Sequence, residues 1–150
     1  MPNIRSKTRM RTRPKKIFAD PSLAAAALGI DKDGLLKDLN TYGFMFENLC
    51  LRDLAVYAEH HGGSLFHYRD DSGLEVDAVI EMPDAEWCAL EIKLGEYQVE
   101  AAARSLMRLK EKMLAQGARP PMCLVVVTGG GFGRQRDDGI YVVPINALTI

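Results

Sequence analysis

Apolar and polar residues alternate through Leu74-Glu75-Val76-Asp77-Ala78-Val79-Ile80-Glu81-Met82. A two-residue period is that of a strand whose successive side chains leave opposite faces. The even positions are apolar, and Glu75, Asp77, Val79 and Glu81 share the other face. A second such stretch, 87–94, puts Cys88, Leu90 and Ile92 on one face and Trp87, Ala89, Glu91 and Lys93 on the other. Pro83-Asp84-Ala85 between them is a turn, and Asp70-Asp71-Ser72-Gly73 is another, closing a strand at Ser64–Arg69. Cys123–Thr128 is a continuous apolar run, which predicts a strand covered on both faces. After Gly129-Gly130-Gly131, residues 140–143 form a last short strand.

The helical period appears elsewhere. Asp20-Pro21 supplies an N-cap and a first-turn proline for a short helix over 22–28, stopped by Gly29. A second short helix covers 31–39 and ends around 40–43. A longer helix follows at 44–60, terminated by Gly62-Gly63. Residues 97–116 are amphipathic, with Val99, Ala102, Leu106, Leu109 and Met113 on one stripe. A helix, a meander of three strands, a crossover helix and further strands predict an α/β fold: a sandwich of a central mixed sheet with flanking helices. The expected organisation is a basic extended arm at 1–16, a small helical segment at 17–43 and the main domain at 44–150.

Composition narrows the class. At 150 residues, 47% hydrophobic and 26% charged, the chain suits one soluble globular domain with a real core. Its longest apolar runs, 23–28 and 123–127, are too short to span a bilayer, and the basic N-terminus is not followed by the apolar stretch of a signal peptide. Cys50, Cys88 and Cys123 stand far apart among apolar neighbours and read as reduced core thiols of a cytoplasmic protein, not as a disulfide framework or zinc site. The net charge of −1 hides an asymmetry: residues 1–16 carry seven basic groups and no acid, so the rest sums to −8. Such an arm can neutralise phosphates, but taken alone it reads first as a solvated tail or a linker cut from a larger protein.

The chemistry concentrates on the hairpin. If its turn centres on Asp84, facing residue numbers add to 168, which sets Asp77 opposite Glu91 and Val79 opposite Ala89. Opposed side chains lie about 4.5–5.5 Å apart at Cβ, where two carboxylates repel unless a proton or a cation separates them. A hard divalent cation with oxygen ligands answers that need. Glu47 falls within the apolar arc of its helix, between Leu54 and Ala58, and a carboxylate there needs a partner such as the hairpin. Each feature also has an ordinary explanation, since a strand acid beside a lysine is commonly a solvated ion pair. Glu75 and Glu81 read as rim or surface acids, although Glu75 is near enough to take the place of one of the chosen residues. His60, His61 and His67 have no metal-ligand spacing.

Asp77, Glu91-x-Lys93 and a preceding helical Glu47 resemble the PD-(D/E)xK nuclease superfamily, although Val76 stands where its name has proline. More closely, Gly43-Phe44-Met45-Phe46-Glu47-Asn48, His67-Tyr68-Arg69-Asp70, Gly73-Leu74-Glu75-Val76-Asp77 and Glu91-Ile92-Lys93-Leu94-Gly95 look like the C-terminal domain of unknown function of a broad family of prokaryotic AAA-type ATPases. Ser6-Lys7-Thr8-Arg9 and Asp20-Pro21-Ser22-Leu23-Ala24 extend that likeness over nearly the whole chain. The ATPase module itself is missing, and Gly129-Gly130-Gly131-Phe132-Gly133-Arg134 has no Gly-Lys-Ser/Thr to hold phosphate and magnesium. The chain therefore reads as the C-terminal part of a longer protein or a shortened relative.

The resemblance implies a restriction-endonuclease-like fold over 44–150 and a Mg²⁺- or Mn²⁺-dependent phosphodiesterase. In that reading Asp77 and Glu91 hold the ion with the Ile92 carbonyl and waters. Glu47 holds a second ion or a metal-bound water, and Lys93 orients water or stabilises charge on the phosphate. Gln98 resembles a glutamine some relatives place nearby, and it is also an ordinary polar residue at a helix start. Tyr97 reads as a partly exposed anchor. Expected partners are nucleic acid, DNA before RNA, an ATPase module or a second copy, and no membrane. The rival is a catalytically silent nuclease-fold module that binds or regulates an ATPase or other partner, and a defence-associated partner protein is a third reading.

Overall fold

The computed structural model describes residues 20–148, so the basic arm lies outside the described residues. Among the described residues, four α-helices and a six-stranded mixed sheet make up an α/β domain. They are α1 (Pro21–Leu28), α2 (Lys32–Lys37), α3 (Leu39–His60), β1 (Ser64–Arg69), β2 (Glu75–Glu81), β3 (Trp87–Lys93), α4 (Val99–Ala115), β4 (Cys123–Thr128), β5 (Arg134–Gln135) and β6 (Tyr141–Pro144). The spatial order is β1-β2-β3-β4-β6-β5. The meander pairs antiparallel, and β3, β4 and β6 run parallel. Residues 134–135, which the pattern leaves unassigned, add a two-residue antiparallel edge to β6.

The N-terminal helices begin where small acids can cap them. Asp20 accepts from the Ser22 amide (2.8 Å) and Asp31 from that of Gly34 (2.8 Å), each satisfying a free N–H of the first turn. Asp38 does the same for Thr41 through both its amide (3.1 Å) and its hydroxyl (2.6 Å), so α3 starts at Leu39. Residues 40–43, expected to end a helix, instead form its first turns. Gly43 is accommodated within α3, with nothing within 4 Å of a Cβ built there. The expected boundary between residues 43 and 44 therefore falls inside one continuous helix.

The sheet has a core on each face. Phe46, Cys50, Leu51, Leu54 and Ala58 of α3 pack on Ala78, Ile80, Leu90, Ile92, Val125 and Val127. Val99, Ala102, Leu106, Leu109 and Met113 of α4 pack on Val79, Ala89, Leu124, Val126 and Val142. The amphipathic stripe of α4 thus becomes one wall of a buried layer, in which truncating Leu106 to alanine is expected to cost about 2–5 kcal/mol. Trp87 is buried there too, and its indole N–H donates to the Arg119 carbonyl (2.8 Å), tying the loop before β4 to the start of β3.

Asp70, whose letter suggests only a turn, organises the β1–β2 connection. Its side chain is 5% exposed. It accepts from Ser72 N (2.8 Å), Ser72 Oγ (2.6 Å), Leu74 N (3.2 Å) and Tyr68 OH (3.0 Å), and pairs with Lys112 of α4. Burial alone pushes the carboxyl pKa up, but the bonds from Lys112, Ser72 and Tyr68 outweigh it and hold Asp70 well below the usual carboxylate range. Asp70→Asn is therefore expected to lower unfolding stability at pH 7 by about 1–3 kcal/mol. Because the folded value is depressed, Asp70's contribution is complete above the unfolded value of 3.8 and is lost as pH falls below it. Urea titrations of both proteins from pH 7 down to pH 2 check this, and a difference that does not shrink in acid would refute it.

Candidate functional site

The hairpin register is the one the turn arithmetic requires. Ala78 faces Leu90, Val79 faces Ala89, Ile80 faces Cys88 and Glu81 faces Trp87. A compact turn sets it: Met82 N–H donates to the Glu86 carbonyl (2.8 Å) and Ala85 N–H to that of Met82 (3.1 Å), with Ala85 at φ 59°. One step further along, the strands part. The Ile92 amide donates to Asp77 Oδ2 (2.9 Å), a side chain in place of a backbone carbonyl.

Strict alternation fails at this point. Pairing between β1 and β2 jumps from Phe66↔Val79 to Tyr68↔Val76, so His67 opposes two residues, Asp77 and Ala78. This is a β-bulge, one extra residue in β2. Accordingly Val76 and Val79 lie in the same core and Ala78 and Ile80 in the other, which regular alternation from 75 to 81 does not allow. The bulge bends the strand where Asp77 must turn its carboxylate toward β3. His67, expected at the surface or rim, is half-buried there: Nε2 lies 3.0 Å from Glu75 Oε1 and Nδ1 lies 3.4 Å from the Asp77 carbonyl oxygen. His60 and His61 are exposed, as expected.

Asp77, Glu91 and Lys93 come together. Lys93 Nζ donates to Asp77 Oδ2 (3.0 Å) and lies 2.6 Å from Glu91 Oε2. Asp77 and Glu91 are also hydrogen-bonded to each other, and they are only 9% and 4% exposed. Burial and the neighbouring Asp77 drive the Glu91 pKa up, despite Lys93. For Asp77 burial pushes the same way, but the Lys93 charge and the bonds from Glu91, Ile92 and Lys93 prevail and lower it. Burial opposes the charge on Lys93, yet the two acids raise its pKa. At neutral pH the cluster is therefore an ionised Asp77, a protonated Glu91 and an ammonium: one base balances one acid, and the second acid keeps a proton.

Glu47 reaches the same locality from α3. It is half-buried and shares with Lys93 a cavity of about 350 Å³, walled also by Phe44, Leu94 and Tyr97. Among the described residues, however, no three His, Cys, Asp or Glu side chains converge into a group able to hold a metal ion, so Glu47 does not complete a trio with Asp77 and Glu91. The pair itself has the hard oxygen donors that suit a divalent cation. Gln98 accepts from the Gly95 amide (3.2 Å) and shapes the turn after β3, while Tyr97 is 87% exposed. Gly129–Gly133 leads into β5 and not a helix, so it lacks the strand–loop–helix setting of a phosphate-cradling loop.

Compared with known families, residues 42–148 match one described as a domain of unknown function, DUF4143. The chain belongs to that family. The matched region begins within α3 and takes in the whole sheet, with all four of Glu47, Asp77, Glu91 and Lys93, and leaves out α1 and α2. No curated protein and no solved structure matches the chain. Among the described residues of this DUF4143 chain, no helix is long and apolar enough to cross a membrane.

The retained proton has a thermodynamic signature. Glu91 releases its proton near 4.5 when unfolded and at about 8 when folded. Between those values the folded state binds more protons, so metal-free protein is expected to lose stability as pH rises from about 5 to about 8. Glu91→Gln should flatten that decline. Urea midpoints measured across the range in the presence of a chelator decide it, and parallel pH profiles for the two proteins would count against a buried, protonated Glu91.

Proposed function

We propose that this DUF4143 chain is a metal-dependent phosphodiesterase acting on nucleic acid, DNA before RNA, on a restriction-endonuclease-like sandwich. One observation carries the reading: a lysine ammonium held 3.0 and 2.6 Å from two buried carboxylates, at the edge of a cavity large enough for part of a substrate. A merely structural ion pair needs one acid for one base. A second buried acid has an energetic cost, which a site that accepts a further positive charge accounts for.

In this reading Asp77 and Glu91 hold Mg²⁺ or Mn²⁺, which when bound polarises the scissile phosphate and makes its water more acidic. Asp77 is ionised and anchored by the Ile92 amide, so it needs no rearrangement. Glu91 would have to be ionised to serve as a ligand. Lys93, no longer the sole counter-charge, is placed to stabilise negative charge on the phosphate. Glu47 also lines the cavity, where it can accept a hydrogen bond from water approaching the phosphate.

A second reading has its own observation. The ammonium already closes the two-acid pair, and Glu47 does not make a third ligand. A nuclease fold kept as a docking or regulatory module for an ATPase or another partner accounts for that. Cleavage of assorted DNA and RNA substrates with Mn²⁺ separates the readings. Wild type is expected to cut. Lys93→Ala should keep Mn²⁺ binding in calorimetry but cut at least ~100-fold more slowly. Asp77→Asn should lose both binding and cleavage. Binding without cleavage by wild type favours the docking module, and no binding even with DNA present rules out the metal site.

A further inference from the structure

At the far end of the same strands lies a second pair of reactive groups. Cys88 opens β3 beside Trp87 and Cys123 opens β4, and they are direct partners in the parallel ladder. Their alignment is held from both sides. The Met122 amide donates to the Trp87 carbonyl (2.8 Å) one residue earlier, and five further pairs follow, from Ala89↔Leu124 to Lys93↔Thr128. Neighbouring strands lie about 4.7–4.9 Å apart, inside the Cα separation of about 4.4–6.8 Å that a disulfide spans. Both side chains project to the α3 side of the sheet, where they sit at the margin of that core. Each is half-buried, whereas Cys50 is fully buried in the same layer. The two thiols are hydrogen-bonded to each other.

We infer that Cys88 and Cys123 form a two-thiol modification site, which hydroperoxides oxidise to a disulfide between β3 and β4 and which dithiols reopen. The step balances without any other reagent. One sulfur attacks a peroxide oxygen, the O–O bond breaks, and the products are a sulfenic acid and water, or an alcohol from an organic peroxide. The second sulfur then attacks the sulfenic sulfur, the S–O bond breaks, and the oxygen leaves as water. The two sulfurs lose two electrons in all, and the peroxide gains them. The hydrogen bond between the two thiols favours the thiolate on one sulfur and disfavours it on the other, so one attacks first and its partner resolves. The ladder keeps the resolving thiol beside the sulfenic acid, so closure competes with further oxidation. Cys88 lies three positions, roughly 10 Å of strand, before Glu91, so the site is independent of the acid pair and of the function proposed for it.

The full chain treated with hydrogen peroxide, alkylated and weighed intact tests this. The expected result is a loss of two hydrogens, a linked pair of peptides containing residues 88 and 123, recovery of Cys50 as a free thiol after unfolding, and full reversal by dithiothreitol. Cys123→Ala should yield no intramolecular link. Recovery of both cysteines from oxidised wild type as separate alkylated thiols or separate sulfinic acids would overturn the proposal. So would a link that appears only between molecules on a non-reducing gel. Because the decisive readout is made on wild type, a variant that folds poorly leaves the test intact.

Discussion

Asp77 and Glu91 are buried beside a half-buried Lys93 at the place where β2 and β3 separate, and much of the local architecture follows from holding two acids and one base together there. A carboxylate removed from water demands donors. Asp77 finds them in the Ile92 amide and the Lys93 ammonium, and in taking the amide it ends the backbone ladder. Glu91, left with half a counter-charge, keeps its proton. The hairpin opens because a side chain has replaced a carbonyl at its last rung, and the cavity lies next to that opening.

The layers on either side have a different task. The crossover from β3 through α4 to β4 puts three parallel strands side by side, with Lys93 in register with Thr128 and Thr128 with Pro144. Their carboxyl ends therefore meet at one edge of the sheet, the position where open α/β sheets offer a crevice. The apolar stripe of α4 and the buried face of α3 clamp the strands from both sides, which holds Lys93 to a narrow range of positions relative to the acids. The N-terminal helices contribute less: α1 buries only Ala24 and α2 no residue.

Much of this was legible from the chain because it depends on neighbours in sequence. The hairpin spans few residues, so its turn determines its register, and Asp77 could be set against Glu91 by counting. The α4 stripe and the apolar run of β4 were plain for the same reason. What escaped is decided by distant pairing. The bulge at Asp77 leaves no mark in the alternating letters of 75–81, because it arises from how β1 lies against them. Asp70 looks like any turn acid until Lys112, 42 residues on, is brought to it. Cys88 and Cys123 stand 35 residues apart and become neighbours only through the crossover. Glu47 was legible as a carboxylate on an apolar arc, but helical phase does not say that its carboxylate does not form a three-acid group with Asp77 and Glu91. Gly43 misled in the other direction, since an intrinsic helix breaker is tolerated where a capped helix has already begun.

The extra residue in β2 makes this region sensitive to chain length rather than to composition. Side chains upstream of the bulge, Leu74 and Val76, share a core with Val79 only because one residue has slipped out of step. Deleting either Asp77 or Ala78 would set Val76 two positions from Val79, so regular alternation would keep Leu74 and Val76 on the α4 side, and what would vanish is the bulge that turns Asp77 toward β3. Counting is thus a structural parameter here: the number of residues between Val76 and Val79 decides whether β2 carries its bulge, which no substitution in the same stretch removes by spacing alone.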